Sequence, residues 1–193
     1  MLVGCDFSSS PSKRKPIVVA IGSAKQGRVR LEELLRFETL DAWSEWLSQP
    51  TEWVGGFDLP FGLPRELVQK LKWPSDWSAC MRLIAAGISL PGIHTPAKVQ
   101  CQRIALEAYP GLLARELIGN QSYKSDDKLK QTPERLIARK QLLQASEMGQ
   151  TRLGLQLKLT HAQHDHLVED ASGDSLDAVL CMVQAAWAHA QHL

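Results

Sequence analysis

The sequence predicts an α/β protein in which helices pack against one mixed β-sheet. Its N-terminal part alternates short apolar runs with turns rich in Ser, Pro, Lys and Gly, a pattern typical of an antiparallel meander of three strands. Further along, helical patterns alternate with short strand patterns, and the sequence ends in a long amphipathic segment. Its 193 residues suffice to bury a substantial core, and we expect a single domain over residues 1–193.

The meander is predicted from apolar runs that are separated by turns. Residues 2–5 form a short strand that ends at Asp6, and residues 16–21 form a second strand rich in β-branched side chains. Residues 22–27 make the next turn, and residues 29–35 begin the third strand.

Two later segments are predicted to extend the sheet. Residues 53–57 are a compact apolar run that suits a buried strand entered from a helix. Residues 104–109 are a further strand, which we expect Pro110-Gly111 to close.

Five segments have the spacing or the start signals of helices. They are residues 42–47, 64–71, 77–86, 133–147 and 174–191. Thr39 or Asp41 would cap the first, and Pro133 occupies a first helical position, where proline sacrifices no hydrogen bond. The last helix is the clearest because its apolar residues share one face, and residues 87–99 are expected to form a loop.

Composition excludes several classes of protein. The 22 basic and 21 acidic residues nearly balance, so the chain is not a strongly basic, tail-driven nucleic-acid binder, although a local basic patch remains compatible with that total. The 4 cysteines are scattered without a Cys-x-x-Cys pair, which is typical of a reduced protein. The N-terminus has no signal-peptide core, and no apolar run approaches the roughly 20 residues of a membrane span. We therefore expect a cytoplasmic protein without a membrane partner.

Four aspartates are placed where a folded α/β sheet would bring them together. Asp6 and Asp58 each end an apolar strand, where a buried carboxylate is costly unless something pairs with it. Asp174 and Asp177 are three apart at the start of the last helix and so share a face. Convergent carboxylates are hard oxygen ligands, and they predict a site for Mg²⁺ or Mn²⁺.

Each aspartate also has a structural interpretation. Asp174 could be an N-cap, with Asp177 favoured by the helix dipole. Asp58 could accept hydrogen bonds in an Asx-turn, and Asp6 could cap the turn that follows it. These interpretations do not explain why the acids occur in the order that one fold requires, so we favour the metal site.

Four short motifs follow one another along nearly the whole chain. They are Val3-Gly4-Cys5-Asp6-Phe7, Gly56-Phe57-Asp58-Leu59-Pro60-Phe61-Gly62-Leu63-Pro64, Glu107-Ala108-Tyr109-Pro110 and Asp174-Ser175-Leu176-Asp177-Ala178. Their order and spacing resemble the DUF429 family of predicted ribonuclease H-fold nucleases, and Tyr123-Lys124 and Arg139 also fit that pattern. The acid layout is similar to that of RuvC-type resolvases, with one acid on the first strand, one on the fourth and two on the last helix.

The resemblance implies a ribonuclease H-like fold and a metal-dependent nuclease that hydrolyses phosphodiester bonds in DNA or RNA with two metal ions. Asp6 would bridge both cations, Asp58 would bind one, and Asp174 with Asp177 would bind the other.

Three further residues are candidates on the same reasoning. Glu107 would be a fifth catalytic carboxylate, with a salt bridge or a strand-end cap as its structural alternative. Lys124 and Arg139 would contact substrate phosphates, although a solvated helix face explains Arg139 equally well.

Two other functions remain open. A nucleotide-handling phosphotransfer enzyme of the same fold is disfavoured because no glycine follows soon after Asp6, as it does in kinase-like and actin-like relatives. A non-catalytic binding protein that keeps the acids for structure is the other alternative.

Several remaining patterns are interpreted structurally. His161, His164 and His166 lack a clear fourth zinc ligand and are expected to be a polar surface segment. The basic run at residues 12–15 is expected to be a solvated turn rather than a phosphate contact, and the tryptophans are expected in the core.

Overall fold

The structure, a computed structural model, describes residues 1–62, 65–76, 78–79 and 103–192. Its strands are β1 (Leu2–Asp6), β2 (Ile17–Lys25), β3 (Arg28–Phe37), β4 (Trp53–Asp58), β5 (Arg103–Glu107) and β6 (Gln156–Lys158). They form one 6-stranded sheet in the order β5-β4-β1-β2-β3-β6. The α/β class with a mixed sheet is therefore confirmed.

The helices pack on both faces of this sheet. They are α1 (Leu40–Leu47), α2 (Arg65–Lys70), α3 (Pro110–Ile118), α4 (Pro133–Glu147), α5 (His161–Glu169) and α6 (Asp174–His192), with a short 3₁₀ turn at Lys128–Lys130. Thr39 caps α1 as expected, because its Oγ1 accepts a hydrogen bond from the Ala42 N–H. No helix in the described ranges is long and apolar enough to cross a membrane.

The predicted combination of meander and parallel strands is present. β1 pairs antiparallel with β2, and β2 pairs antiparallel with β3, so the first three strands form the meander. β4 then joins the other edge of β1 in parallel, and β5 joins β4 in parallel. This arrangement makes β1 a central strand, with its carboxyl end beside that of β4.

The alternation of side chains along β1 separates two hydrophobic clusters. Val3 and Cys5 belong to the cluster under α1, whereas Leu2 belongs to the larger cluster under α6. Helix α6 is buried on more than the one face that its sequence indicated, because the sheet covers one side of it and α3 packs on another.

Two glycines let α6 approach the sheet closely. A Cβ atom on Gly4 would lie 2.0 Å from the carbonyl oxygen of Ala178, and one on Gly56 would lie 2.4 Å from that of Cys181. No side chain fits in these spaces. The backbone of α6 therefore rests directly on the backbone of β1 and β4.

Three sequence expectations need correction. Pro110 begins α3 rather than closing a strand, since proline is favoured in the first helical turn, and the preceding strand ends at Glu107. Strand β6 was not expected, and α5 was expected only as a polar surface segment. The expected helix over residues 77–86 and the loop over residues 87–99 lie, except for residues 78–79, outside the described residues.

We predict that Gly4→Ala lowers the free energy of unfolding by at least about 2 kcal/mol, because the added methyl group overlaps a helix backbone that cannot rotate away. Urea unfolding measures the change. Gly111→Ala is the matched control, since the atoms nearest to its Cβ would be those of the Tyr109 side chain, at 3.3 Å and beyond, rather than a helix backbone. Equal stability of the two variants would contradict the close contact between α6 and β1.

Candidate metal centre

The carboxyl ends of β1 and β4 carry two aspartates side by side. Asp6 pairs with Asp58 in the parallel register, two residues after the pair Gly4 and Gly56. Because side chains alternate along a strand, both carboxylates project on the same face as those glycines, which is the face covered by α6. The repeated Gly-x-Asp order thus gives each strand a helix contact and, two residues later, a carboxylate.

Helix α6 supplies the third carboxylate. Asp177 precedes Ala178, whose carbonyl oxygen lies against Gly4, so the close helix contact brings Asp177 to the ends of both strands. One carboxylate oxygen from each of Asp6, Asp58 and Asp177 lies within 4.8 Å of the other two. In the described part of the chain, no other group of acidic, histidine or cysteine residues has this geometry.

This spacing is close to the requirement of a small divalent cation. Mg²⁺ binds oxygen at about 2.1 Å, so two oxygens on one ion are separated by at most about 4.2 Å. Neighbouring ligands of an octahedral ion at about 2.1 Å are about 3.0 Å from each other. The three side chains would therefore have to rotate toward one another to enclose one ion. The all-oxygen donor set also suits Mg²⁺ or Mn²⁺.

Asp6 is the most unusual of these residues. Its side chain is 9% exposed, and it makes no hydrogen bond or ion pair with any residue that the structure describes. Burial, together with the nearby carboxylates of Asp177 and Asp174, raises the pKa of Asp6 from 3.8 to about 8. A buried carboxylate without a donor is costly unless a cation compensates it.

Asp177, in contrast, has donors from the chain. Its Oδ1 accepts a hydrogen bond of 2.5 Å from the Tyr123 hydroxyl, and its Oδ2 forms an ion pair with the Lys124 ammonium. The residue is fully buried. Burial raises the pKa of Asp177, and the Lys124 ammonium and the Tyr123 hydroxyl oppose that rise.

Asp58 lies at the accessible side of the group. Its side chain is only partly buried, and partial burial raises its pKa while Lys124 opposes the shift. A ligand could therefore reach the centre from the side of Asp58.

Asp174 lies near the centre but outside the closest group. Its carboxylate raises the pKa of Asp6, yet none of its oxygens completes the group within 4.8 Å. It is not the helix cap, because Asp170 takes that role by accepting from the Ser175 N–H at 3.0 Å and the Ser172 hydroxyl at 2.6 Å. The capping interpretation of Asp174 is therefore wrong.

The structure places Glu107 away from the acids. Glu107 pairs with Phe57 in the register of β4 and β5, and Phe57 packs in the cluster under α1. Its side chain therefore projects from the opposite face of the sheet to Asp6 and Asp58. Its predicted role as a fifth catalytic carboxylate is incompatible with this position.

Arg139 also has a different role from the one predicted. It is 4% exposed, and its guanidinium donates at 2.7 Å to the carbonyl oxygens of Tyr123 and Val168. It is thus a support behind the Tyr123-Lys124 segment rather than a surface contact for phosphate. The pairing of Lys124 with Asp177 places the other predicted phosphate-binding residue inside the centre.

The three histidines lie on α5 and do not belong to the acidic group. His164 Nε2 lies 3.8 Å from a carboxylate oxygen of Glu147, and His166 Nε2 lies 3.4 Å from the Ser175 hydroxyl. Among the described residues they form no group with metal-ligand spacing.

Sequence reasoning did not assign Tyr123 a place in the site. Its hydroxyl reaches Asp177 across 54 positions of sequence. Two features of the sequence could have indicated it: Tyr123 is adjacent to Lys124, and it is a single aromatic residue within a polar segment. In the structure this aromatic residue is buried.

Comparison of the chain with models of protein families, with curated proteins and with solved structures finds no match in any of the three.

We predict that Asp6→Asn melts at a higher temperature than the wild type when divalent metal is chelated. On folding, the wild type must either take up a proton at Asp6 or hold one more repelling carboxylate, whereas Asn keeps the shape without either cost. Saturating Mg²⁺ or Mn²⁺ should reverse the order, since a ligand at 100 times its Kd stabilises the folded form by about 2.7 kcal/mol. Paired thermal melts in chelator and in metal measure both effects. A variant less stable than the wild type in chelator would show that Asp6 is a structural partner.

The raised pKa of Asp6 also predicts a pH dependence. In the unfolded chain Asp6 ionises near 3.8, whereas in the folded chain it ionises near 8. The folded state therefore holds more protons between these values, and metal-free stability should fall as pH rises from about 4 to 8. Urea unfolding in chelator from pH 5 to pH 8 should show a shallower fall for Asp6→Asn; parallel curves would contradict the shift.

Proposed function

We propose that this chain is a metal-dependent phosphodiester hydrolase of the ribonuclease H-like type that acts on nucleic acid. The observation that carries the proposal is the carboxylate of Asp6, a residue that is only 9% exposed. This carboxylate lacks a hydrogen-bond donor among the described residues and faces two further carboxylates. A divalent cation is the partner that this arrangement fits best.

The arrangement of elements supports the ribonuclease H-like assignment. The three-stranded meander is followed by parallel strands, and the acids come from the first strand, the fourth strand and the last helix. This is the acid layout that the sequence motifs imply, and here it occurs with the three carboxylates in proximity.

Each residue of the centre has a proposed role toward the cation or the substrate. Asp6 and Asp58 would hold the cation from the two strand ends, and Asp177 would hold it from α6. The cation, when bound, supplies Lewis acidity that polarises a phosphoryl group and lowers the pKa of water. The partial exposure of Asp58 leaves an approach for a phosphate, and the Lys124 ammonium stands beside it.

Basic residues beside the centre support a nucleic-acid substrate. Lys15 in the loop between β1 and β2 pairs with Asp126 at 2.6 Å, and it interacts electrostatically with Asp174 and Asp6. This ion pair joins two exposed segments. Their other basic residues are Lys13, Arg14, Lys128 and Lys130, of which Lys130 pairs with Asp127. Basic segments that reach an acidic centre suit a phosphodiester backbone whose scissile phosphate reaches a cation.

We predict that the protein with Mn²⁺ or Mg²⁺ cleaves at least one of single-stranded, duplex, hybrid or junction nucleic acids. Asp6→Asn and Asp58→Asn should each lower the rate at least about 100-fold, because loss of a partner that only orients a ligand already costs 10- to 100-fold. Glu107→Gln is the matched control, since it neutralises a carboxylate on the other face of the sheet, and it should retain wild-type activity. Gel assays with end-labelled substrates measure the rates.

The outcomes separate the alternative functions. Binding of metal without cleavage of any nucleic acid would favour a non-catalytic binding protein, and turnover of nucleotides alone would favour a phosphotransfer enzyme. Absence of metal binding would reject the proposed function.

A further inference from the structure

We propose that the centre binds one divalent cation rather than two, and that the ammonium of Lys124 supplies the second positive charge. This inference rests on the proposed function, and it replaces the two-metal mechanism that the resemblance implies. The geometry that points to it is a difference in partners: Asp177 has a hydrogen bond and an ion pair, whereas Asp6 has neither among the described residues.

The two oxygens of Asp177 are already engaged by the chain. Tyr123 donates to Oδ1 and Lys124 pairs with Oδ2. Asp6, at the other side of the group, has no donor among the described residues. A single cation therefore gains most from the strand-end carboxylates of Asp6 and Asp58, with Asp177 completing the group. A second cation would have to displace the ammonium that already pairs with Asp177.

Lys124 is held in this position by its surroundings. A Cβ atom on Gly173 would lie 2.7 Å from the Lys124 Cβ, so the stem of the lysine packs against backbone at the start of α6. Arg139 fixes the carbonyl of Tyr123, and the Ser125 N–H donates to the Ala171 carbonyl at 3.0 Å. The residues on both sides of Lys124 are thus hydrogen-bonded to other parts of the chain.

The Lys124 ammonium already compensates part of the negative charge of the centre. Lys124 interacts electrostatically with Asp177, Asp6 and Asp174, and also with Asp58. With these four carboxylates, one divalent ion and the ammonium leave one net negative charge, whereas two divalent ions and the ammonium leave one net positive charge.

The side chain also remains accessible. With 39% of its side chain exposed, Lys124 can donate to a substrate phosphate while its position is maintained by Asp177. In this role it provides the charge that a second cation would otherwise provide at the phosphoryl oxygens.

Titration with Mn²⁺ tests the inference, with calorimetry giving the stoichiometry and electron paramagnetic resonance giving the coupling between ions. We expect 1 Mn²⁺ per wild-type chain, with an uncoupled signal. Lys124→Met should bind about 2, with the spectral coupling of ions about 4 Å apart. Lys124→Arg keeps the charge and should bind 1. Lys158→Met, which removes an exposed lysine on the edge strand β6, should also bind 1.

The outcomes distinguish this inference from the proposed function. Two coupled ions in the wild type would overturn the inference and leave the proposed function intact, whereas no bound ion would reject both. A single ion in folded Lys124→Met would show that the lysine does not exclude the second. If that variant folds only with metal, its stoichiometry after purification in Mn²⁺ still decides, and its lower melting temperature in chelator would reflect the uncompensated Asp177.

Discussion

The direct contact between the backbone of α6 and the backbones of β1 and β4 is the constraint on which the rest of the structure depends. Gly4 and Gly56 stand at the same level of adjacent strands, and neither position has room for a Cβ atom. A methyl group at either position would push the helix outward and withdraw Asp177 from the strand ends. The candidate centre is therefore a consequence of helix–sheet packing, since its carboxylates come from elements that touch without intervening side chains.

This packing brings several carboxylates close together, and residues of the chain compensate the negative charge of only some of them. Asp177 is fully buried and is compensated by Tyr123 and Lys124, which Arg139 and Gly173 hold in place. Asp6 is buried to nearly the same degree without such compensation. Because Asp177 has partners and Asp6 has none among the described residues, the stability of the folded chain depends on what binds beside Asp6. The asymmetry gives the centre a preferred side for a cation.

Much of this arrangement could be predicted from local sequence. Strand-ending Asp6 and Asp58 follow apolar runs, and Asp174 and Asp177 share a helix face by spacing alone. Glu107 could not be assigned in the same way, because a carboxylate at a strand end can project from either face, and the register of β5 against β4 decides which. A proline at position 110 is compatible both with the end of a strand and with the start of a helix. Only the packing of the residues that follow it identifies Pro110 as the start of α3.

The sequence by itself determined the α/β class, the meander, the parallel fourth strand and the positions of the aspartates, since these follow from hydrophobic period and from where polar residues interrupt it. Tertiary structure alone decided which carboxylates have partners. Tyr123, Lys124 and Arg139 lie far along the chain from Asp6 and Asp58, and their hydrogen bonds depend on the path of the backbone between α3 and α6. Contacts of that range have no local periodicity, because they are fixed by the packing of whole elements against one another.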